Sequence, residues 1–236
     1  MRLKKKTITL LSSLLLAMGL TGCSQKFNDV NDTVKLALLG EKDIQLSAYD
    51  VEQLPYASIY AQIDNGPLAF MVLAFAESKH IIDIPSADYR SDVQLKWLSA
   101  DRGMLVTEHG RVVKTHNLPQ GNIVASHSNQ PDPLALGLHL NSTPTSWQHT
   151  LDWQPGYHFG YQLNSQFEQQ GAAVIMIKEK PVEVLHYIER VSVSSLGLSY
   201  DNDFWVHPYT GKVLKSRQKM APDLPYVDIT LLKPYS

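Results

Sequence analysis

After residue 56 the chain alternates apolar and polar positions in short runs, broken by turn residues at close intervals. Ala57 to Ile63 and Leu68 to Glu77 flank Asp64-Asn65-Gly66-Pro67, which supplies the positive φ angles of a hairpin turn. The second arm, Leu68 to Ala76, is apolar throughout, as expected of a strand buried on both faces. Gln94 to Ser99 reads as a strand, and Met104 to Glu108, His109-Gly110 and Arg111 to Thr115 as a second hairpin. Trp147 to Trp153, Tyr157 to Gln169, Ala173 to Lys178 and Val182 to Val193 continue the pattern. Phe204 to His207, the turn at 208–211 and Lys212 to Lys219 make a third hairpin, and Ile229 to Leu232 a terminal strand. Between them, 78–94 is a polar loop carrying Pro85, and Asn117 to Pro144 an irregular connection rich in Asn, Pro, Ser and Gly. The expected fold is mainly β, antiparallel, either a sandwich or a strongly curved half-barrel-like sheet. Before it, Asn31 or Asp32 could cap a short helix through Val34 and Leu39 that stops at Gly40, and Ser47 a second turn ending before Pro55.

The N-terminus follows a different rule. Arg2, Lys4, Lys5 and Lys6 precede an apolar run from Ile8 to Leu20, 13 residues. That is shorter than the roughly 20 a spanning helix needs. Leu20-Thr21-Gly22-Cys23 then matches a lipobox: an apolar residue, two small residues that admit a peptidase, and a thiol that accepts a diacylglyceryl group. Cleavage is expected between Gly22 and Cys23, with Cys23 the lipidated residue. Two or three acyl chains, at about 0.8 kcal/mol per buried methylene, anchor firmly. Ser24 stands where an aspartate would signal inner-membrane retention, so by analogy the anchor is expected on the periplasmic face of the outer membrane. The expected organisation is a signal peptide over 1–22, a lipidated tether with a short helix over 23–46, and one β-rich domain over 47–236.

Composition narrows the functional classes. Cys23 is the only cysteine, which excludes internal disulfides, a cysteine nucleophile and cysteine metal clusters in the folded body. Without the four cations of the leader, 17 basic residues face 23 acidic ones, a net charge of −6. That balance argues against nucleic acid and against electrostatic binding to anionic lipid, leaving the anchor as the membrane contact.

Several stretches together resemble the YjbF/GfcB family of lipoproteins, associated with group-four capsule and exopolysaccharide production. They are Leu54-Pro55-Tyr56-Ala57-Ser58 with Tyr60; Gly66-Pro67; Val72 to Glu77; Lys96-Trp97; His109 to Thr115; Asp132-Pro133-Leu134; and, more loosely, Phe204-Trp205-Val206 with Gly211. The resemblance runs from about residue 50 to the C-terminus. It implies a mostly β lipoprotein among polysaccharide synthesis and export functions, with polysaccharide or export proteins as partners, and no known reaction. The 78–94 loop departs from the pattern by its length.

Candidate chemistry is sparse. None of the nine histidines makes a His-x-His pair or an i, i+4 pair of the helical zinc type, and neither a nucleophile elbow nor a phosphate-cradling glycine loop occurs, so no metal or cofactor is expected. Asp201-Asn202-Asp203 reads as a polar turn. Glu77, Glu108, Asp152, Glu183 and Glu189 lie on strand-like segments, and no context marks a glycosidase pair. Aromatic side chains can stack sugar rings. Trp147, Tyr157 and Trp205 are the candidates for an exposed platform, while Trp147 and Trp153, six apart, should share a strand face. His109 and Arg111, at a hairpin tip, are candidates for an exposed contact. The expected function is that of a non-catalytic accessory factor in capsule or exopolysaccharide assembly or secretion. The alternatives are a glycan-modifying enzyme and a lipid or lipoprotein carrier with an open apolar cavity inside its curved sheet.

Overall fold

The structure, a computed structural model, describes residues 45–78 and 93–235. The leader, Cys23, the helix expected around residues 32–39 and most of the 78–94 loop lie outside the described residues.

Twelve antiparallel strands form one sheet in the order β5-β4-β3-β2-β1-β12-β11-β10-β9-β8-β7-β6. The first six in chain order are β1 (Ser58–Ile63), β2 (Ala69–Ser78), β3 (Val93–Leu98), β4 (Met104–Glu108), β5 (Arg111–His116) and β6 (Asn122–His127). They are followed by β7 (Ser146–Gln154), β8 (His158–Ile177), β9 (Lys180–Val193), β10 (Leu198–Val206), β11 (Val213–Lys219) and β12 (Tyr226–Lys233). The sheet curls until β5 lies beside β6. There the seam is closed by side chains: Ile123 N donates to Thr115 Oγ1 at 2.9 Å, and Leu118 N to Asn122 Oδ1 at 3.1 Å. The result is a nearly closed barrel, the half-barrel alternative, and not two packed sheets. Closure leaves no long open edge.

Two helices sit outside the ladder. Ser47 caps α1 (Ala48–Gln53), accepting from Asp50 N, and Pro55 bars its continuation. Val51 of α1 packs with Phe70 and Leu232 against the outer face of β1, β2 and β12. The short helix α2 (Pro133–Leu136) is capped by Asp132 and starts with proline at its first position.

Four expectations change. The 117–144 connection contains β6 and α2; the β6 sequence Asn-Ile-Val-Ala-Ser-His has only a weak alternation, and Ile123 alone is fully buried. The two runs read as Tyr157–Gln169 and Ala173–Lys178 are one 20-residue strand, β8, with a register shift between Gln169 and Gly171. β2 is buried only at Phe70 and Met71: β1 pairs no further than Val72, and Phe75 is 59% exposed. Asp201 and Asp203 lie inside β10, not in a turn, with Asn202 between them on the buried face.

The interior is divided along the barrel. One apolar cluster holds Trp97, Leu105, Ile123, Trp153, Leu163 and Val227 among others. A second holds Leu134, Leu138, Trp147, Phe167, Tyr187 and Phe204. Between them lies a band of buried polar side chains.

Candidate functional site

That band is built around Arg111. Reading β9 in steps of two from Val191 and Val193 puts Glu189 and Tyr187 on the inner face, and Glu189 is completely buried. Arg111, the first residue after the β4–β5 turn, points inward and donates from one terminal nitrogen to Glu189 Oε2 at 3.0 Å. Its Nε and other terminal nitrogen bond both oxygens of Asp132, the residue that caps α2. Asn202 adds a second donor to Glu189 Oε2 at 2.8 Å, and its own carbonyl accepts from Lys219 N at 2.7 Å. Ser165 lies on the same side, although its hydroxyl falls outside hydrogen-bond geometry. The guanidinium sits 4.5 Å from the Trp147 ring centroid, and His149 is stacked on the same ring at 4.1 Å.

The charges follow from this packing. Burial works against both members of the pair, but the mutual attraction and hydrogen bonds outweigh it. Arg111 is held more firmly protonated than usual, and the Glu189 carboxyl is held below the ordinary carboxylate range. His149 is pushed down to about 3, first by burial and then by the Arg111 charge, so it is a neutral imidazole at any physiological pH. A cavity of only about 20 Å³ adjoins Arg111, His149, Tyr200, Asn202 and Gln218, room for about one water.

Toward the end of the barrel that carries the β4–β5 and β10–β11 turns, the interior opens. A cleft of about 320 Å³ has Ile59, Leu95, Trp97, Val213, Ile229 and Leu231 in its walls. Leu134 of α2 also contributes to the lining, as do His109, Gly110, Gly211, Lys212 and the terminal Pro234 and Tyr235. Trp97 is fixed by its indole N–H, which donates to Thr107 Oγ1 at 2.8 Å. Gly110 has φ +92°, and a Cβ there would lie 2.5 Å from Val213 Cβ, so only glycine lets the tip approach β11. Gln218 fastens the tip: its amide nitrogen donates to Gly110 O at 2.9 Å and its carbonyl accepts from Val112 N at 3.0 Å.

The aromatic platform does not assemble. Trp147 is 6% exposed and belongs to the core, because its strand phase turns it into the barrel with His149, Leu151 and Trp153. Trp205 is on the outer face, but its ring is stacked on His186 at 4.9 Å and overlain by the Lys215 ammonium at 5.1 Å. Tyr157 is 94% exposed in the β7–β8 turn, remote from both. Arg111 is likewise no surface contact: at 5% exposure it is the interior partner of two carboxylates. His109 remains at the tip, half-buried, in the lining of the cleft. The sequence placed Glu189 on a strand, Asp132 in a family-like stretch and Asn202 in an expected turn without joining them in a site, and gave His149 no role; the two-residue phase of β9 was the one signal that could have put Glu189 inside.

Among the described residues, no group of three His, Cys, Asp or Glu side chains could hold a metal ion, and no helix is long and apolar enough to cross a membrane.

Comparison with known proteins gives a consistent picture. Residues 31–232 match the family model YjbF, described as group 4 capsule polysaccharide lipoprotein GfcB, YjbF. The chain is 30% identical to the uncharacterized lipoprotein GfcB of Escherichia coli K12 over 93% of its length and 96% of GfcB. It is 31% identical to the uncharacterized lipoprotein YjbF of the same organism, covering 93% and 95%. The crystal structure of the hypothetical lipoprotein YmcC from E. coli K12 superposes with a TM-score of 0.70 at 29% identity, covering 87% of this chain and 96% of that one.

Proposed function

Because the chain belongs to the YjbF family of group 4 capsule polysaccharide lipoproteins, we propose that it is a non-catalytic accessory factor. It is tethered through Cys23 to the periplasmic face of the outer membrane, and it assists capsule or exopolysaccharide assembly or secretion by holding a partner at its cleft end. One observation carries the reading. Trp97, His109, Gly110, Leu134 and Gly211, drawn from four separate stretches through which the sequence resembles the family, all line the same cleft. The Arg111–Asp132 bond joins two of those stretches from within. Asp132 bonds Arg111 through both oxygens and Glu189 through Oε2, with Glu189 Oε1 left without a partner among the described residues, and the pairing of both carboxylates to one guanidinium favours a structural role over acid–base chemistry.

Deleting the gene is expected to lower surface polysaccharide, and the wild-type gene to restore it. A Val213→Trp variant, which fills the cleft, is expected to reach the membrane and fail to restore it. Unchanged polysaccharide on deletion refutes the reading. A second reading, a lipid or lipoprotein carrier, is favoured by the apolar walls of the cleft. Mass spectrometry of the protein extracted from membranes decides it: bound lipid that disappears in Val213→Trp supports the carrier, and its absence removes it.

A further inference from the structure

A different face of the barrel carries a second set of side chains with one chemistry. On the outside of β7, β8 and β9, cross-strand register aligns Gln148 with Asn164 and Ser192, and Ser146 with Gln166 and Arg190. These side chains line a shallow groove of about 530 Å³. It runs into a neighbouring groove of about 310 Å³ through the shared Gln130 and Gln148, and Gln162 and Thr150 border the second part. Arg190 is the sole Lys, Arg, Asp or Glu residue in either lining, and its partner is Glu168 at 3.3 Å. The outer face of β11, β12 and β1 is the opposite, with Asp64, Lys215, Arg217 and Asp228 around one depression.

Exposed strand faces in soluble proteins ordinarily carry interspersed charges, which keep the surface wet and unattractive to neighbours. A strip of planar amides and hydroxyls whose one charged lining residue, Arg190, is paired with Glu168 largely forgoes that. It offers paired donors and acceptors whose desolvation costs far less than that of an ion. The amides are also held in place. Gln148 Nε2 bonds Asn164 Oδ1, and Gln166 Nε2 bonds Thr145 Oγ1 at 3.0 Å. Gln148 Oε1 and Asn164 Nδ2 then have no partner among the described residues. The wall is fixed from beneath, since the buried Trp147 donates its indole N–H to Gln130 O at 3.2 Å. The groove has no apolar anchor of the kind protein interfaces use, no free strand edge, and no unpaired charge for an acidic polymer.

We propose that this groove binds a neutral, polyhydroxylated segment of glycan. The assignment rests on the reading of the protein as a polysaccharide accessory factor and names the surface that touches the polymer. Without an exposed aromatic platform the affinity is weak, with a Kd on the order of millimolar per segment, as suits a protein that holds a long chain at many points.

The test uses the lipidated chain in nanodiscs. The probe is polysaccharide purified from the producing cells, hydrolysed and separated into neutral and acidic oligosaccharides. The neutral fraction is expected to bind, to persist at about 0.5 M NaCl, and to survive Val213→Trp in the cleft. The variant Gln148→Ala/Asn164→Ala/Gln166→Ala, with its melting temperature checked, is expected to bind at least about tenfold more weakly. No binding of the neutral fraction, binding confined to the acidic fraction and abolished by salt, or unaltered binding by the triple variant overturns the assignment. Gene deletion separates the two readings. If the wild type restores surface polysaccharide but binds no neutral oligosaccharide, the groove assignment falls and the accessory role stands.

Discussion

Arg111 is the residue whose removal should cost the fold most. Replacing it with alanine leaves Glu189, wholly buried, and Asp132, largely buried, facing an interior with no cation. Breaking a buried pair from one side costs about 3–5 kcal/mol. Losing the guanidinium over Trp147 adds on the order of 1 kcal/mol. For a chain of this size about 2–4 °C accompanies each kcal/mol, so the melting temperature should fall by about 8–24 °C. Glu189→Gln, which keeps the shape and leaves Arg111 on Asp132, should cost about half as much. Arg111→Met/Glu189→Leu should be milder than the sum of Arg111→Met and Glu189→Leu by at least about 2 kcal/mol, because it strands only Asp132, whereas Arg111→Met strands Asp132 and Glu189 together. Urea unfolding followed by tryptophan fluorescence reads all of these, since the buried Trp147 lies against the Arg111 guanidinium. Because the Glu189 carboxyl is held below its unfolded value, the pair's contribution is complete above about pH 5 and is lost as pH falls through the folded value. An Arg111→Ala penalty under about 1 kcal/mol, or additive single variants, would refute the account of the interior as a charge network.

Three further outcomes follow from the same structure. His149 is neutral in the fold and pushed down to about 3, whereas the unfolded chain takes up a proton near pH 6.5. Stability should therefore drop by about 2 kcal/mol between pH 6.5 and 5, and a urea series on His149→Phe should show a shallower drop; an equal slope would sink the claim. Gly110→Ala forces a Cβ to 2.5 Å from Val213 at φ +92° and should cost at least about 2 kcal/mol in the same assay. Cys23→Ala should move the protein from the membrane fraction to the soluble one while leaving its melting temperature within about 1 °C; retention at the membrane would place the anchor elsewhere.

The strands were legible because a one-sided barrel writes its pattern in steps of two. The hairpins at His109-Gly110 and Gly211 were legible because positive φ selects those residues; in the 64–67 turn the positive φ falls on Asp64 and not on Asn65-Gly66, so that hairpin was found by its composition alone. Ser47 and Pro55 likewise marked α1. What stayed hidden is whatever depends on contacts distant in sequence. Glu189 and Arg111 are 78 residues apart, and nothing local distinguishes a carboxylate that meets a guanidinium inside from one that faces water. The same blindness made Trp147 look like a surface platform. Tryptophan occurs in both settings, and only the closure of β5 onto β6, made by Thr115 and Asn122, decides that β7 has an inside. The amides of the strip on β7 to β9, Gln148, Asn164 and Gln166, stand in plain sequence, but strand register was needed to bring them to one face.

The position of the polar band explains how one end of the barrel is filled and the other open. Apolar walls facing an empty interval are drawn together, since burying their surface is worth about 25 cal/mol per Å². A cleft persists only if its walls are held apart by contacts that are costly to break. Here the holding groups lie beside the cleft lining. Arg111 ties the β4–β5 tip to α2 and to β9, and Gln218 ties the same tip to β11 through both ends of its amide. Moving β11 toward the tip is opposed by the Gly110–Val213 approach, already as close as a missing side chain permits. Moving it away strands buried amide and carbonyl groups at about 1–3 kcal/mol each. The buried charges are therefore better understood as spacers than as a store of stability: a fully apolar interior would bury as much surface and close the cleft.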